Sequence, residues 1–427
     1  MLRGLALSVV VLAACETKPR GGCQDPCPDR WEPVCGADDR TYANACEAAC
    51  ADQTYVPGEC EDGCTLGEPA LLHATGGNSA TVDAVRTPSG TLLVWEEIDT
   101  TSTRLFSLAL DPSGLAISGP HLVQTLDGSP AQPQVVHVKE DVFAVAWLQG
   151  TNPSACGPLG LRLIDGGGVP LEEPVLAPSS TSLACQAPTL AWTGASIVVI
   201  ANEEDQEDLL QTSAYLYDLD EGFAEEPIPL GQPAAVENVR AAWSNTRAEL
   251  LLTRLEHGAT GTEAHLLRTD AKGTVLSDLA LFSARARYVE PAILPDGREF
   301  VLWDAEDGNT APRLFLGFLI ETGLAATFEF SDGEVGRTDD VSHLAVGEGG
   351  FAAAWSDDRD GVQRVFVNVS DFDGNRLTDD LPISAGEGGI AIEPAVVPTR
   401  DGFAVIWRDT VDRPGGDLYV RSLDCRW

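Results

Sequence analysis

A short apolar strand that ends in tryptophan recurs along most of this chain at a nearly constant interval. Its clearest copies are Gly350–Asp357, which reads GFAAAWSD, and Gly402–Asp409, which reads GFAVIWRD. Seven markers, two of them degenerate, are predicted at Trp95, Trp147, Ile200, Thr253, Trp303, Trp355 and Trp407. Successive markers lie 50 to 53 residues apart, so residues 65–427 hold almost seven units of one repeat.

Each repeat contains further strand and turn signals. Apolar runs follow the markers, as in residues 364–369, and turn sequences such as Asp373-Gly374 and Ala271-Lys272-Gly273 follow those runs. Prolines that are predicted to begin an earlier strand precede four markers by 12–14 residues, at Pro133, Pro188, Pro291 and Pro394. About four short strands per unit, without helical periodicity, predict a mainly β chain with a seven-bladed β-propeller over residues 64–427. A β-helix has much shorter repeats, and separate β-sandwiches need about 100 residues each.

The two ends of the repeat region are predicted to complete one blade together. The last copy stops at Cys425 after its third strand, and residues 65–72 have the pattern of residues 377–383, an outer strand. We therefore expect the first segment to supply the missing outer strand, with a disulfide between Cys64 and Cys425 that fixes it. Cys156 and Cys185 are expected to form a second disulfide.

Cysteine usage indicates an oxidising compartment. Six of the 11 cysteines lie between residues 23 and 60, one is Cys15, and the other four are even in number. Zinc binding is the alternative, but the chain lacks the C-x2-C spacing of zinc sites, so disulfides are favoured. Six cysteines in so short a segment predict a small disulfide-rich module, and their spacing alone leaves its connectivity open.

Residues 33–46 of this module read PVCGADDRTYANAC, and the module closes with Gly58-Glu59-Cys60. This pattern resembles the Kazal-type serine protease inhibitors over the whole of residues 23–60. The resemblance implies a short helix with a small antiparallel sheet. It also implies the pairings Cys23–Cys50, Cys27–Cys46 and Cys35–Cys60.

The resemblance further implies an inhibitory loop over residues 27–33, with Pro28, Asp29, Arg30 and Trp31 as its binding residues. In this alignment Asp29 is the specificity residue, and the Asp29–Arg30 bond is presented to a serine protease. Trypsin-like pockets take a cation, and chymotrypsin- or elastase-like pockets take apolar groups, so a carboxylate disfavours both. We therefore expect an acid-preferring protease as the target, or none.

Two roles are open for Asn44. Its spacing from Glu47 is typical of a residue that caps the amino terminus of a helix. The resemblance instead implies that Asn44 braces the inhibitory loop through hydrogen bonds to loop carbonyls, with Tyr42 as a further support. The helix that follows places Cys46 and Cys50, which are four residues apart, on one face.

The first 14 residues have the features of a secretory signal, because Arg3 precedes an apolar run too short to cross a bilayer. Residues 12–15, LAAC, resemble a bacterial lipobox, which implies lipidation of Cys15 and a tether over residues 15–22. An ordinary secretory signal is the alternative. We expect a bacterial cell-envelope protein held by lipid alone, on the outer rather than the inner membrane, and periplasmic or surface-exposed.

The net charge of −39 excludes nucleic acid as a partner and disfavours docking on anionic lipid headgroups. Six scattered histidines, without hydrolase, phosphate-loop or dinucleotide motifs, predict no catalytic residue and no cofactor. The acidic loops 356–361 and 371–375 are interpreted as hairpin turns rather than calcium sites, so no metal site is predicted. The tryptophans are interpreted as core packing rather than as sugar-stacking platforms.

Two functions therefore remain open. The first is a cell-envelope protease inhibitor whose propeller is a scaffold or a second binding surface. The second is a non-inhibitory surface protein that uses the propeller for protein interaction or adhesion. The protein or glycan ligand of the propeller is not identified by the sequence.

Overall fold

The protein is described from a computed structural model, in which the chain forms two compact units, Met1–Asp62 with Arg426–Trp427 and Gly63–Cys425. The described residues are 27, 34–36, 41–42, 44–51, 53–57, 63–75, 78–127, 131–149, 157–178, 184, 186–204, 210–258, 261–305, 312–331, 340–341, 344–359, 361–384, 389–412 and 415–427. Within these ranges, no helix is long and apolar enough to cross a membrane.

The amino-terminal unit contains one helix and a three-stranded antiparallel sheet. In chain order its elements are β1 (Val34–Gly36), β2 (Thr41–Tyr42), α1 (Ala45–Cys50) and β3 (Tyr55–Pro57). Strand β1 is central, and the helix packs against β1 and β2 with Ala48 fully buried. The predicted combination of a short helix with a small antiparallel sheet is confirmed.

The larger unit begins with two strands, β4 (Gly63–Leu66) and β5 (Ala70–His73), which are followed by seven antiparallel sheets that we call blades 1–7. Blade 1 consists of β6 (Asn78–Thr87), β7 (Gly90–Ile98), β8 (Ser102–Leu110) and β9 (His121–Asp127). Blade 2 consists of β10 (Gln134–Lys139), β11 (Val142–Leu148), β12 (Leu159–Asp165) and β13 (Val175–Leu176). Blade 3 consists of β14 (Thr189–Trp192), β15 (Ile197–Glu204), β16 (Leu210–Asp218), β17 (Gly222–Phe223) and β18 (Ile228–Pro229).

The remaining blades follow the same order. Blade 4 consists of β19 (Val236–Ser244), β20 (Glu249–Gly258), β21 (Gly261–Asp270) and β22 (Val275–Ala284). Blade 5 consists of β23 (Val289–Ile293), β24 (Glu299–Ala305), β25 (Arg313–Ile320) and β26 (Gly323–Glu329). Blade 6 consists of β27 (Asp340–Val341), β28 (Ala345–Val346), β29 (Gly350–Asp357), β30 (Arg364–Asp371) and β31 (Leu381–Pro382). Blade 7 contains β32 (Ala391–Pro398), β33 (Gly402–Asp409) and β34 (Asp417–Arg426).

The blades are arranged as a ring. Their first strands lie innermost and contact one another in sequence from β6 through β10, β14 and β19 to β23, and β32 contacts β6 to close the circle. Six hydrophobic clusters of the described residues each lie between two adjacent blades, so blades 1 to 5 bury both of their faces. The predicted seven-bladed propeller is confirmed.

Blade 7 takes its outer strand from the beginning of the unit. Strands β4 and β5 both pair with β34, and Leu71 lies opposite Tyr419. A disulfide joins Cys64 to Cys425, whose Cα atoms are 4.0 Å apart. The Gly67 amide donates to the Ser422 carbonyl at 3.0 Å. We call this set of contacts the clasp, and it has the composition that the repeat pattern predicts.

The marker tryptophans are buried and face the preceding blade. Trp147 belongs to one cluster with Leu92 of blade 1, and Trp355 belongs to another with Leu302 of blade 5. Four markers stack on a ring from the third strand of their own blade, in the pairs Trp95–Phe106, Trp303–Phe315, Trp355–Phe366 and Trp407–Tyr419. In blade 2, Gly160 lies opposite Trp147, and a Cβ there would come within 2.3 Å of the indole. The tryptophan repeat is thus the inter-blade packing that was predicted.

Two of the seven predicted marker positions are wrong by one residue. Ile200 clusters with Leu252 of the following blade, and Thr253 Oγ1 donates to the Val289 carbonyl of the following blade at 3.0 Å. Side chains alternate between the two faces of a strand, so the residues that face the preceding blade are their neighbours, Ala201 and Leu252. Because the repeat length varies by up to three residues, spacing alone does not fix this alternation.

The innermost strands also tolerate the recurring prolines. Pro133 and Pro188 directly precede β10 and β14, as predicted, whereas Pro291 lies inside β23 and Pro394 lies in a bulge of β32. Each of these strands has a blade neighbour on one side only, so a missing N–H on the other side removes no ladder hydrogen bond.

The predicted disulfide between Cys156 and Cys185 lies outside the described residues. The residues next to these cysteines, Gly157 and Ala184, form an antiparallel bridge with amide-to-carbonyl distances of 2.8 and 3.1 Å. The pairing of the two cysteines stays a prediction.

Candidate functional site

The predicted inhibitory loop is bounded on both sides by anchored residues. Cys27, at its start, forms a disulfide with Cys46 on α1, and the two Cα atoms are 5.7 Å apart. Val34, directly after its end, is buried in the central strand of the sheet, where it pairs with Tyr42 and Pro57. The predicted binding residues themselves lie outside the described residues, and they are Pro28, Asp29, Arg30 and Trp31.

The cysteines of α1 both lie next to Cys27. Besides its bond to Cys46, Cys27 has its Sγ 3.4 Å from that of Cys50, and the three sulfur atoms lie within 4.8 Å of one another. Three thiolates at such distances would suit zinc. However, Cys27 and Cys46 are joined, and Cys50 is also disulfide-bonded, so this cluster holds no thiolate ligand. The predicted pairings of Cys23 with Cys50 and of Cys35 with Cys60 involve side chains outside the described residues.

Asn44 is the amino-terminal cap of α1. Its backbone is extended, with φ −164° and ψ 170°, and its Oδ1 accepts from the amides of Cys46 and Glu47 at 3.0 and 3.1 Å. The cap therefore uses only the oxygen of the carboxamide. The Nδ2 group carries two donors, which are the atoms that a brace to loop carbonyls requires. The two roles that the sequence left open use different atoms of one buried side chain and are compatible.

Tyr42 lies on β2 opposite Val34, the first residue after the loop. This position is next to the segment that Tyr42 is predicted to support. Its role as a loop support stays a prediction, as does lipidation of Cys15, because the loop and the amino terminus lie outside the described residues.

In the two acidic loops that the sequence predicts as hairpin turns rather than calcium sites, Asp371 and Asp357 accept hydrogen bonds from residues close by in the sequence. Asp371 Oδ1 accepts from the amides of Asp373 and Asn375 at 2.9 and 2.8 Å, which is the geometry of a side-chain-stabilised turn. Asp357 is fully buried, accepts from Trp355 Nε1 at 2.7 Å, and pairs with Arg359 at 2.7 Å. These contacts support the interpretation as structural turns.

A signal that sequence reasoning missed is an acidic residue two positions after a marker tryptophan. The side chains at these positions share one face of the strand, so the indole N–H can donate to the carboxylate. The donor–acceptor distances are 2.7 Å in Trp355–Asp357, 3.3 Å in Trp407–Asp409 and 3.5 Å in Trp95–Glu97. Repetition of the motif Trp-x-Asp/Glu in these three copies would have revealed it.

Carboxylates of buried or half-buried acids also join neighbouring blades close to the innermost strands. Asp83 Oδ2 of blade 1 accepts from the Val135 amide of blade 2 at 2.7 Å, and Glu393 Oε2 of blade 7 accepts from the Thr81 amide of blade 1 at 2.9 Å. Four non-glycine residues with positive φ lie at this level of the ring, namely Thr81, Gln132, Asn238 and Glu393. Strained backbone there is held in place by contacts from adjacent blades.

Glu96 of blade 1 is a further acid that contacts the next blade. It is fully buried, and its Oε2 accepts from the amides of Ala131 and Gln132 in the next blade. Its Oε1 has no hydrogen-bond partner among the described residues. Burial raises the pKa of Glu96 to about 7, against the lowering effect of the two amides.

The pKa of its neighbour Glu97 is shifted in the opposite direction. Burial raises the pKa of Glu97, but hydrogen bonds from His73 and Trp95 and the positive charge of Arg104 outweigh burial, so the pKa lies below its usual value. The pKa values of these two adjacent buried acids on β7 therefore differ because only Glu97 has cationic partners, His73 and Arg104.

Comparison with known proteins identifies the amino-terminal module and the fold of the remainder. Residues 22–65 match the family model of the Kazal-type serine protease inhibitor domain, so this segment is a Kazal domain, an inhibitor module. No curated protein matches the sequence. A propeller fold alone does not exclude enzymatic activity.

Two solved structures resemble the chain over 85% of its length. A protein of unknown function from Dyadobacter fermentans has a TM-score of 0.52 and 11% identity, with 100% of that chain covered. Chaetomium thermophilum Raptor has a TM-score of 0.52 and 10% identity, with 29% of that chain covered. At such identities the likeness shows the fold alone.

Two substitutions of Asn44 distinguish the cap role of its Oδ1 from the brace role of its Nδ2 donors. Asn44→Ala removes the cap and is expected to destabilise α1 by about 1 kcal/mol, whereas Asn44→Asp keeps an equally good cap oxygen. Hydrogen exchange of the Cys46 and Glu47 amides in the oxidised protein should therefore accelerate about fivefold in Asn44→Ala and stay near wild type in Asn44→Asp. Equal acceleration in both variants would show that Oδ1 is not the cap.

Glu96→Gln is expected to stabilise the propeller at high pH. A folded pKa of about 7 against a usual value of 4.5 means that the folded state retains a proton that the unfolded chain has lost, so the free energy of unfolding falls as pH rises between these values. The loss amounts to roughly 3 kcal/mol. The variant avoids this loss because its carboxamide stays neutral at every pH and keeps an acceptor oxygen.

Denaturant unfolding at pH 5 and pH 8 measures this effect. The free energy of unfolding of Glu96→Gln should be larger than that of wild type at pH 8 and close to it at pH 5. The matched control Glu97→Gln should be less stable than wild type at pH 8, because a lowered pKa stabilises the ionised folded state. A Glu96→Gln variant that is destabilised at pH 8 would contradict the account.

Proposed function

We propose that this chain is a lipid-anchored cell-envelope inhibitor that binds a serine protease through residues 27–33 of its Kazal domain. The observation that carries the proposal is the anchoring of both ends of this segment, by the Cys27–Cys46 disulfide and by the burial of Val34 in the sheet. An anchored loop loses little conformational entropy when it enters a protease cleft as a substrate would. The propeller is the scaffold that carries this module.

The identity of Asp29 defines the class of protease. A buried carboxylate without a partner costs several kcal/mol, so a pocket that lacks a cationic group rejects it. The target is therefore a protease whose specificity pocket accepts an acidic side chain. The strongly negative chain, at −39, also favours a target with a positive surface around its cleft.

The proposed location is the bacterial envelope, with lipid on Cys15 as the only membrane attachment. Support comes from the LAAC sequence at residues 12–15 and from the apolar run before it. The outer membrane is favoured, with the protein periplasmic or surface-exposed. Residues 16–22 extend at most about 25 Å, so the protease must lie close to that membrane.

Metabolic labelling with a fatty acid tests the proposed lipidation of Cys15. The wild-type protein should carry the label and Cys15→Ser should lose it, whereas a label that persists in Cys15→Ser would contradict the proposal.

Inhibition assays with the oxidised protein lacking its first 15 residues test the main proposal. Wild type should inhibit an acid-preferring serine protease and leave trypsin active. Asp29→Lys should lose that inhibition by at least about 100-fold and inhibit trypsin, because the loop then offers a cation to the trypsin pocket. Glu61→Lys, which makes the same charge change outside the inhibitory loop, is the matched control and should behave as wild type.

The second candidate is a non-inhibitory surface protein in which the Kazal fold is structural and the propeller binds protein or glycan. Asp29 favours it, because an acidic specificity residue suits few serine proteases. If Asp29→Lys inhibits trypsin while wild type inhibits no acid-preferring, basic-preferring or apolar-preferring enzyme, the second candidate is correct. If neither protein inhibits any enzyme although all disulfides are intact, the loop is not inhibitory.

A further inference from the structure

A cavity of about 400 Å³ opens beside the innermost strands of blades 2, 3 and 4. Its wall consists of residues 136–138 of β10, 190–192 of β14 and 241–243 of β19, together with Asn245 just after β19, so three blades contribute to it. Two tryptophans, Trp192 and Trp243, lie in this wall together with His137 and Asn245. No motif of the Kazal domain and no marker of the repeat belongs to this site.

Trp192 and Trp243 differ from the marker tryptophans in exposure. The markers are 0–6% exposed and are packed between blades, whereas Trp192 and Trp243 are half-buried on the innermost strands. Trp192 packs partly on the cluster between blades 2 and 3, and Trp243 packs partly on the cluster between blades 3 and 4. Their remaining surface lines the cavity, so the prediction that the tryptophans serve as core packing holds only in part for these two.

Hydrogen bonds fix the orientation of the two polar side chains in the cavity, Asn245 and His137. Trp243 Nε1 donates to Asn245 Oδ1 at 3.0 Å, which directs the carboxamide and leaves its nitrogen as the side with two donors. His137 Nε2 lies 2.9 Å from the Glu140 carbonyl, which only accepts, so Nε2 carries a hydrogen and, in the neutral ring, Nδ1 is the acceptor. The His137 ring is itself held against Phe143, with centroids 4.8 Å apart.

The composition of the cavity lining limits the class of ligand that the cavity can bind. No Asp, Glu, Lys or Arg side chain is among the described residues that line the cavity, although 22% of the chain is charged. A charged ligand would lose its hydration there without a compensating partner. A purely apolar ligand would leave the Asn245 donors and the His137 acceptor desolvated and unpaired. The remaining class is a neutral ligand that has an apolar face and hydroxyl groups.

We propose that this cavity binds a neutral carbohydrate, with a pyranose ring stacked on Trp192 or Trp243 and its hydroxyls hydrogen-bonded to Asn245 and His137. The C–H face of the sugar covers the indole, and the rim of hydroxyls meets one donor and one acceptor group. The opening of the cavity to solvent lets one unit of a longer glycan enter. The site is independent of the protease-binding loop.

Titration of the oxidised protein with neutral tetrasaccharides of glucose, galactose, mannose or N-acetylglucosamine, followed by calorimetry, tests the proposal. At least one should bind at millimolar concentration or below, and at least one of Trp192→Ala and Trp243→Ala should weaken this binding by about tenfold or more. Trp192→Phe, which keeps an aromatic face, should retain most of the affinity. Leu276→Ala, at an exposed position of β22, is the matched control.

Three results would overturn the proposal. In the first, a correctly folded protein binds none of these saccharides. In the second, the affinity is unchanged in both alanine variants, and in the third, an apolar peptide at equal concentration displaces the sugar. Protease inhibition, measured on the same variants, should be unchanged. The outcome for the cavity is therefore distinguishable from the outcome for the Kazal loop.

Discussion

The propeller ring is closed by pairing between strands from the two ends of its own sequence. In the clasp, Leu71 of β5 lies opposite Tyr419 of β34, and Thr75 Oγ1 donates to the Gly416 carbonyl at 2.6 Å. The same segment reaches blade 1, because the His73 ring lies 5.3 Å from that of Trp95. An open clasp would leave β34 as an unpaired edge and would loosen the core between blades 7 and 1. The packing of blade 7 on blade 1, which completes the ring, therefore depends on this closure.

The repeat predicted the number of blades and the composition of the clasp because both depend only on period and strand count. It could not fix which face a degenerate marker occupies, and Ile200 and Thr253 were placed one residue off for that reason. Contacts between blades, such as those of Glu96, were also beyond sequence reasoning. Their donors are backbone amides of another repeat, so no residue type records the partner.

The two units reach stability in different ways, and this difference bears on function. The Kazal domain has a six-residue helix and short strands, so disulfides such as Cys27–Cys46 supply the rigidity that an inhibitory loop needs. The resemblance identified the loop and its specificity residue, Asp29, whereas the structure added that Asn44 can cap and brace with different atoms. The propeller buries large apolar faces between its blades, and two half-buried tryptophans, Trp192 and Trp243, line one cavity beside the innermost strands, which is where a second binding role would reside.

Hydrogen exchange of the intact oxidised propeller tests the closure of the ring most directly. The account predicts that the Gly67 amide and the amides of β34 exchange as slowly as those of β29 and β30, through global unfolding only. In Cys64→Ser/Cys425→Ser the protection of blade 7 should fall first, by up to about 6 kcal/mol, the chain-entropy value for so long a loop. Clasp amides that exchange as fast as an exposed strand edge in the wild-type protein would contradict the account.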